Sequence, residues 1–190
     1  MQNYEKFGKM FTTKRFLLHL CIMIQQISID KSKKEDMNNI MPLFSRARDY
    51  MEQTGNPNQW INGYPSEEQI LKDIADDSSF VCRNAERKII ATFCFRIGVD
   101  PTYARIDNGN WLNDNPYGVI HRLASDGTVK GIALQCFDWC FQQIKTIRVD
   151  THADNKVMQH LFLKYGFQYC GIIYTHNGTE RLAYQLTKEK

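Results

Sequence analysis

The chain has 190 residues, enough for one domain with a sizeable core. Its hydrophobic content of 43% and charged content of 24% are ordinary for a globular protein. A formal charge of +3, with no dense Lys/Arg run, excludes the basic footprint of a nucleic-acid binder. Six cysteines are scattered without CxxC pairs: Cys21, Cys82, Cys94, Cys136, Cys140 and Cys170. They read as reduced structural thiols of a cytoplasmic protein. Cys136 and Cys140 share a helix face, but no further ligand stands at a suitable spacing, so no metal is expected.

Lys14-Arg15 precedes FLLHLCIMI, which resembles the front of a signal peptide. The run is too short to span a membrane, and no small-x-small cleavage site follows it. Residues 1–22 read instead as an extension from an upstream start codon. The single domain then covers 23–190 and opens with a strand at Ile24 to Ile29. The apolar extension is a candidate homodimer contact.

Ser32-x-x-Glu35 is a capping box ahead of Met37, Ile40, Met41, Phe44, Ala47 and Met51, which share one helical face. Pro42 falls inside that helix and is expected to bend it. The turn-rich segment TGNPNQWINGYP carries Trp60 and Tyr64, which either line a pocket or anchor the loop. Pro65 and Ser66-x-x-Gln69 open a shorter helix through Ile70, Leu71, Ile74 and Ala75. Phe80 to Cys82 and Ile89 to Ile97 read as a hairpin around a turn at Asn84 to Arg87. Residues 98–116 form a long polar connection of the kind used for binding loops. Its Tyr103 and Trp111 either face an acceptor or pack the loop down.

The chain is organised around HRLASDGTVKGIAL, His121 to Leu134. Val119, Ile120 and Leu123 suit a strand, Asp126-Gly127 a turn, and Ile132 onward a helix. Such a turn aims several N–H groups at one point, and the helix start adds positive potential, so phosphate can sit there. Lys130 adds a countercharge. Many junctions of this kind bind nothing, so the motif alone decides little. The helix from Gly131 to Ile144 is apolar nearly all round and reads as central. Thr146 to Thr151 is a buried strand, and strand–helix–strand of this length implies a parallel crossover. Asp154 or Asn155 caps a helix with Val157, Met158, Leu161 and Tyr165 on one face, and Gly166 ends it. Strands at Gln168–Thr175 and Glu180–Leu186 close the chain around Asn177-Gly178.

The order β-α-α-β-β-β-α-β-α-β-β, with a phosphate turn after the fourth strand, resembles the GNAT family of acyl-CoA N-acyltransferases over about residues 23–187. Thr128-Val-Lys-Gly131-Ile-Ala133 is similar to the family's Q/R-x-x-G-x-G/A turn. DTHADNKVMQHLFLKYGF is similar to its Asn…Tyr-x-x-x-Gly-Phe region. The resemblance implies an α/β (α+β) fold: a mixed, mostly antiparallel central sheet with a splayed parallel pair and flanking helices. It also implies acetyl-CoA as cosubstrate, with its pantetheine arm along Leu123, Ala124 and Ser125. Its pyrophosphate would rest on Val129, Lys130, Gly131, Ile132 and Ala133, with Asn155 on the arm. Thr128 and Phe162, which stand at family motif positions, complete the expected cofactor-binding set. Two departures matter. Thr128 replaces the usual Gln or Arg, removing a side-chain contact but no backbone N–H. Phe162 stands where the family carries a general-acid tyrosine, and Tyr165 is expected to pack in the core instead.

In the chemistry implied, an amine attacks the thioester directly. Deprotonating an amine of pKa ~10.4 at pH 7 costs roughly 4.6 kcal/mol. Holding the reactants in line contributes about 7–11 kcal/mol, and a positioned base about 10²–10⁴ in rate. A thiol of pKa ~8.5 leaves as thiolate for only about 2 kcal/mol, so a missing general acid slows the reaction without abolishing it. The candidate catalytic residues are His121 and His152 as bases and Tyr174 at the acceptor site, with Asp150 orienting a base or the amine. The acceptor is a small molecule or an exposed amine, held by 52–65 and 98–117. The alternatives are a non-catalytic acetyl-CoA-binding sensor or interaction domain, and a binding domain unrelated to CoA.

Overall fold

A computed structural model describes residues 27–189. The expectations for the extension at 1–22, for Cys21 and for a strand start at Ile24 fall outside those residues. In chain order the elements are β1 (Ser28–Lys31), α1 (Met37–Gln53), α2 (Glu67–Ala75), β2 (Ser79–Arg83), β3 (Ile89–Ile97), β4 (Gly118–Ser125), α3 (Ile132–Gln143), β5 (Thr146–Thr151), α4 (Lys156–Tyr165), β6 (Gln168–Tyr174) and β7 (Glu180–Thr187). They form one sheet in the order β1-β2-β3-β4-β5-β7-β6. Every pairing is antiparallel except β4 with β5. The mixed, mostly antiparallel fold with one parallel pair and flanking helices is therefore as expected.

The sheet is covered on both faces, which is why β3 reads as an unbroken apolar run and is buried from Ile89 to Phe95. On one face α3 sets Ile132, Cys136, Phe137 and Cys140 against Phe80, Phe93, Phe95 and Ile147. On the other, α1 sets Ile40, Leu43 and Phe44 against Val81, Ile89 and Ala124. The β2–β3 turn is fixed by Asn84, whose Oδ1 accepts from the N–H groups of Glu86 and Lys88 at 3.1 and 2.9 Å. Ser66 Oγ caps α2 by accepting from Gln69 N at 3.2 Å.

Four local expectations are corrected. Among the described residues, β1 runs to Lys31, two residues past the expected end at Ile29, because its pairing with β2 continues to Lys31–Phe80. Ser32 does not cap α1: it is buried, and its Oγ accepts from Ser79 Oγ at 2.9 Å. A short 3-10 turn, Lys34–Asp36, leads into the helix, with Asp36 accepting from Lys33 N. α3 is not wrapped on all sides; Asp138, Gln142 and Gln143 are exposed, so it lies on the sheet as an outer layer. Val157 is exposed and Phe162 takes the buried position of α4. Among the described residues, Cys82, Cys94, Cys136, Cys140 and Cys170 are free and buried.

Candidate active site

The site begins where β4 and β5 part. They pair only at Gly118–Ile147 and Val119–Arg148, so the β5-facing edge of β4 is unpaired from Ile120 onward. The same strand bulges against β3. Thr92 to Cys94 on β3 faces the longer stretch Ala124 to His121 on β4, and Arg122 sits there at φ +52°. Leu123, Ala124 and Ser125 thus lie on the strand segment that borders the opening. At its end Asp126 Oδ1 accepts from Thr128 N at 2.9 Å and Thr128 Oγ1 at 2.6 Å, which folds the turn. Among the described residues, the N–H groups of Val129, Lys130 and Gly131 find no acceptor. Gly131 caps α3 at φ +74°, with open space where a Cβ would stand. Unsatisfied N–H groups at a helix N-terminus suit a phosphate, and this is the observation that fits the turn to a CoA pyrophosphate.

On the face of the sheet opposite α3, period-two alternation places His121 with Val119 and away from Ile120. His121 Nε2 is 3.0 Å from Asp100 Oδ2, and its Nδ1 is 3.8 Å from Asp150 Oδ1. Asp100 is itself fixed, since its Oδ1 accepts from Thr102 N and Thr102 Oγ1. Burial alone would raise the Asp100 acid, but the bonds from His121 and Thr102 outweigh it and hold the carboxyl well below its ordinary range. Tyr103 is buried, and its hydroxyl donates to Asp150 Oδ1 at 2.6 Å. Burial, then Asp150, pushes that phenol well above its usual value, so it stays a neutral donor. Arg181 Nε lies 3.8 Å from Asp150 Oδ2.

A second network ties the helical layer to β4. Asp73 on α2, 1% exposed, receives Arg122 Nη2 at 2.7 Å and Nε at 2.9 Å, and Arg96 at 3.1 Å. Arg122 Nη1 reaches the Tyr64 hydroxyl at 3.0 Å. Trp60 meets Phe44 and Tyr64 edge-on, so these aromatics anchor their loop. Gln59 of the same loop ties it to the β5 side of the opening. Its Oε1 accepts from Asn56 Nδ2, Asn155 Nδ2 and Thr151 Oγ1 at 2.9, 2.8 and 3.3 Å.

The structure gathers some sequence-derived candidates and separates others. His121 and Asp150 meet. His152 stands after β5 with Nδ1 accepting from Asp154 N at 3.2 Å, committed to its own turn. Tyr174 belongs to the edge strand, where its hydroxyl donates to Asp107 and Arg105 stacks on its ring. Asn155 is the N-cap of α4, accepting from Met158 N at 3.0 Å while donating to Gln59. Phe162 is packed among Phe137, Phe167 and Tyr184. Tyr165 stacks on the same cluster, yet its hydroxyl reaches out to Asp138 and Lys188, so it is only partly a core residue. Tyr103 and Trp111 stack at 5.6 Å and pack their loop down. Asp100, Arg181 and Gln59 escaped the sequence reading. Asp100-Pro101 marks a turn in the sequence, which locates the residue without revealing its partner.

A recess of about 490 Å³ lies elsewhere, at the end of α3 away from the turn, between Phe80, Phe95, Trp139 and Gln143. Asp100 is on its rim while its carboxylate is committed to His121. Among the described residues no three His, Cys, Asp or Glu side chains converge as metal ligands. Nor, among those residues, is any helix long and apolar enough to cross a membrane.

No family model matches the sequence, and no curated protein is significantly similar to it. Solved structures are. An acetyltransferase of the GNAT family from Streptococcus agalactiae 2603 superposes with a TM-score of 0.76 at 32% identity, over 88% of this chain and 98% of that one. A putative acetyltransferase from Staphylococcus aureus Mu50 gives 0.60 at 26% identity, over 84% and 97%. A GNAT-family acetyltransferase from Listeria monocytogenes 4b F2365, at 17% identity and a TM-score of 0.64, shares the fold. With this likeness at 32% identity and the parallel β4–β5 pair in the sheet, the chain belongs to the GNAT family of acetyltransferases.

Proposed function

We propose that the protein transfers the acetyl group of acetyl-CoA to an amine by direct attack on the thioester. The observation that carries this reading is the opening between β4 and β5. It ends at the free N–H groups of Val129 to Gly131 and is bordered on the sheet's other face by His121. Acetyl-CoA supplies an activated acetyl thioester. The turn holds its pyrophosphate, the unpaired edge of β4 offers backbone groups to its arm, and Asn155 stands beside that path at the start of α4. His121 is the general base. Asp100 fixes the ring through Nε2, which leaves Nδ1 to take the amine proton. Asp150, beside Nδ1, orients the amine before it attacks.

One observation favours a second reading, acetyl-CoA binding without turnover. Phe162 occupies the family's acid position and has no proton to give. Both readings are separated by one set of measurements. Acetyl-CoA at a hundredfold excess over its Kd stabilises the folded protein by about 2.7 kcal/mol, roughly 5–10 °C in Tm for a domain of this size. Gly131→Glu puts an anion and a strained side chain into the phosphate seat and removes that shift. His121→Ala keeps the shift but lowers thiol release in an amine screen by about 10²–10⁴. Stabilisation without thiol release from any amine supports the second reading, and no stabilisation of the wild type overturns both.

A further inference from the structure

The charges around His121 discriminate between kinds of amine. Arg122 and Arg181, which flank this cluster, already give donors to the protein. Arg122 gives Nε and Nη2 to Asp73 and Nη1 to Tyr64. Arg181 gives Nη1 to the Glu180 carbonyl and Nη2 to the Gln59 carbonyl, with Nε turned toward Asp150. A carboxylate on the acceptor is held best by a guanidinium that offers two N–H groups in parallel, and both of these already give two or more nitrogens to acceptors within the protein.

The acceptor-rich side is in the opposite state. Asp150 Oδ1 takes one short bond from Tyr103, while Oδ2 lies beyond hydrogen-bond distance of Arg181. An ionised carboxylate accepts about four hydrogen bonds, so capacity remains. With Nδ1 of His121 only 3.8 Å from Oδ1, one nitrogen at ~2.9 Å can bond both atoms. An ammonium, which carries donors alone and a positive charge, fits that place. An anion on the carbon next to it would face Asp150 at close range, where like charges repel. Tyr64, which is tied to the residue after His121 and keeps part of its ring exposed, offers aromatic surface to the rest of the molecule.

Resting on the acetyltransferase reading, we propose that the acceptor is a small primary alkyl- or arylalkylamine with no anionic group on the carbon that bears the nitrogen, and is not an α-amino acid. The test compares tyramine, tyrosinamide and tyrosine as acceptors, with thiol release as readout and binding to the CoA-loaded protein measured beside it. Tyrosinamide keeps the branch of tyrosine without its charge. Tyramine and tyrosinamide are expected to react, and tyrosine to fall at least ~10-fold below both in kcat/KM. In Asp150→Asn that gap narrows, because the repelling charge is gone. Tyrosine within ~3-fold of tyramine overturns the proposal. So does tyrosinamide as poor as tyrosine, since bulk would then decide. Stabilisation by acetyl-CoA with none of the three bound or acetylated overturns the proposal and spares the cofactor reading. Absence of stabilisation by acetyl-CoA overturns the reading beneath it.

Discussion

The turn after β4 and the cluster around His121 occupy neighbouring stretches of one strand and its exit, yet they are made of opposite materials. The turn is six consecutive residues, Asp126 to Gly131, whose working groups are backbone N–H and whose side chains are mostly exposed. The cluster joins Asp100, Tyr103, His121, Asp150 and Arg181 from separate segments, and its working groups are side chains drawn out of water. Backbone geometry is written locally, by a glycine that tolerates φ +74° and an Asp that folds the turn onto Thr128. A cluster of side chains exists only once the sheet has aligned its strands.

Buried side-chain networks and the turn differ in what they contribute to stability, and the Asp73–Arg122 network beside the cluster makes that visible against the turn. Asp73→Ala leaves the Arg122 guanidinium, whose side chain is 10% exposed, without its counter-ion. Breaking such a buried pair costs about 3–5 kcal/mol. Asp126→Ala removes exposed bonds within the turn and is expected to cost less than about 1.5 kcal/mol. Urea denaturation of both variants measures the contrast, and equal losses would erase the distinction between buried side-chain pairs and the turn.

Gln59 ties its loop to the β5 side of the opening and, through its carbonyl, to Arg181 of the cluster, so it tests whether the acceptor side works separately from the turn. Its Oε1 serves Asn56, in its own loop, together with Asn155 and Thr151 beside the opening. Gln59→Ala strands those donors and is expected to cost about 1–3 kcal/mol. The larger consequence falls on the acceptor side, because the loop bearing Trp60 and Tyr64 loses its tie to β5. The KM for the amine is expected to rise ~10-fold with acetyl-CoA affinity changed by less than ~3-fold. Equal losses in both constants would show that the cofactor path depends on this loop as much as the acceptor does.

What could be read beforehand follows the same division. The element order, the hairpins and the turn were legible because each rests on a short pattern: Asn177-Gly178, the Ser66 cap, the glycines around α3. Ser32 misled because a Ser three residues before a Glu resembles a cap in sequence, while its hydroxyl is taken by Ser79, 47 residues away. Val157 misled because helical spacing alone does not say which edge of the stripe meets the sheet. Asp100 was invisible as a partner of His121, since only the β3–β4 pairing brings the chain after β3 back beside β4.

His152 offers the smallest effect and the finest test of how far the side-chain region extends. Burial, and then the nearby positive charge of Arg181, hold its imidazole below the ordinary value of 6.5, with Asp154 opposing them. The folded protein thus binds fewer protons at this site than the unfolded chain does. Stability contributed here is present above pH ~6.5, falls as the pH drops through that value, and levels off below the folded-state pKa. His152→Asn removes this component, so its unfolding free energy changes less between about pH 7 and about pH 5 than that of the wild type. Denaturation curves of both proteins at the two pH values measure the difference. An unchanged slope would detach His152 from the field of Arg181 and confine the cluster to the residues that touch Asp150.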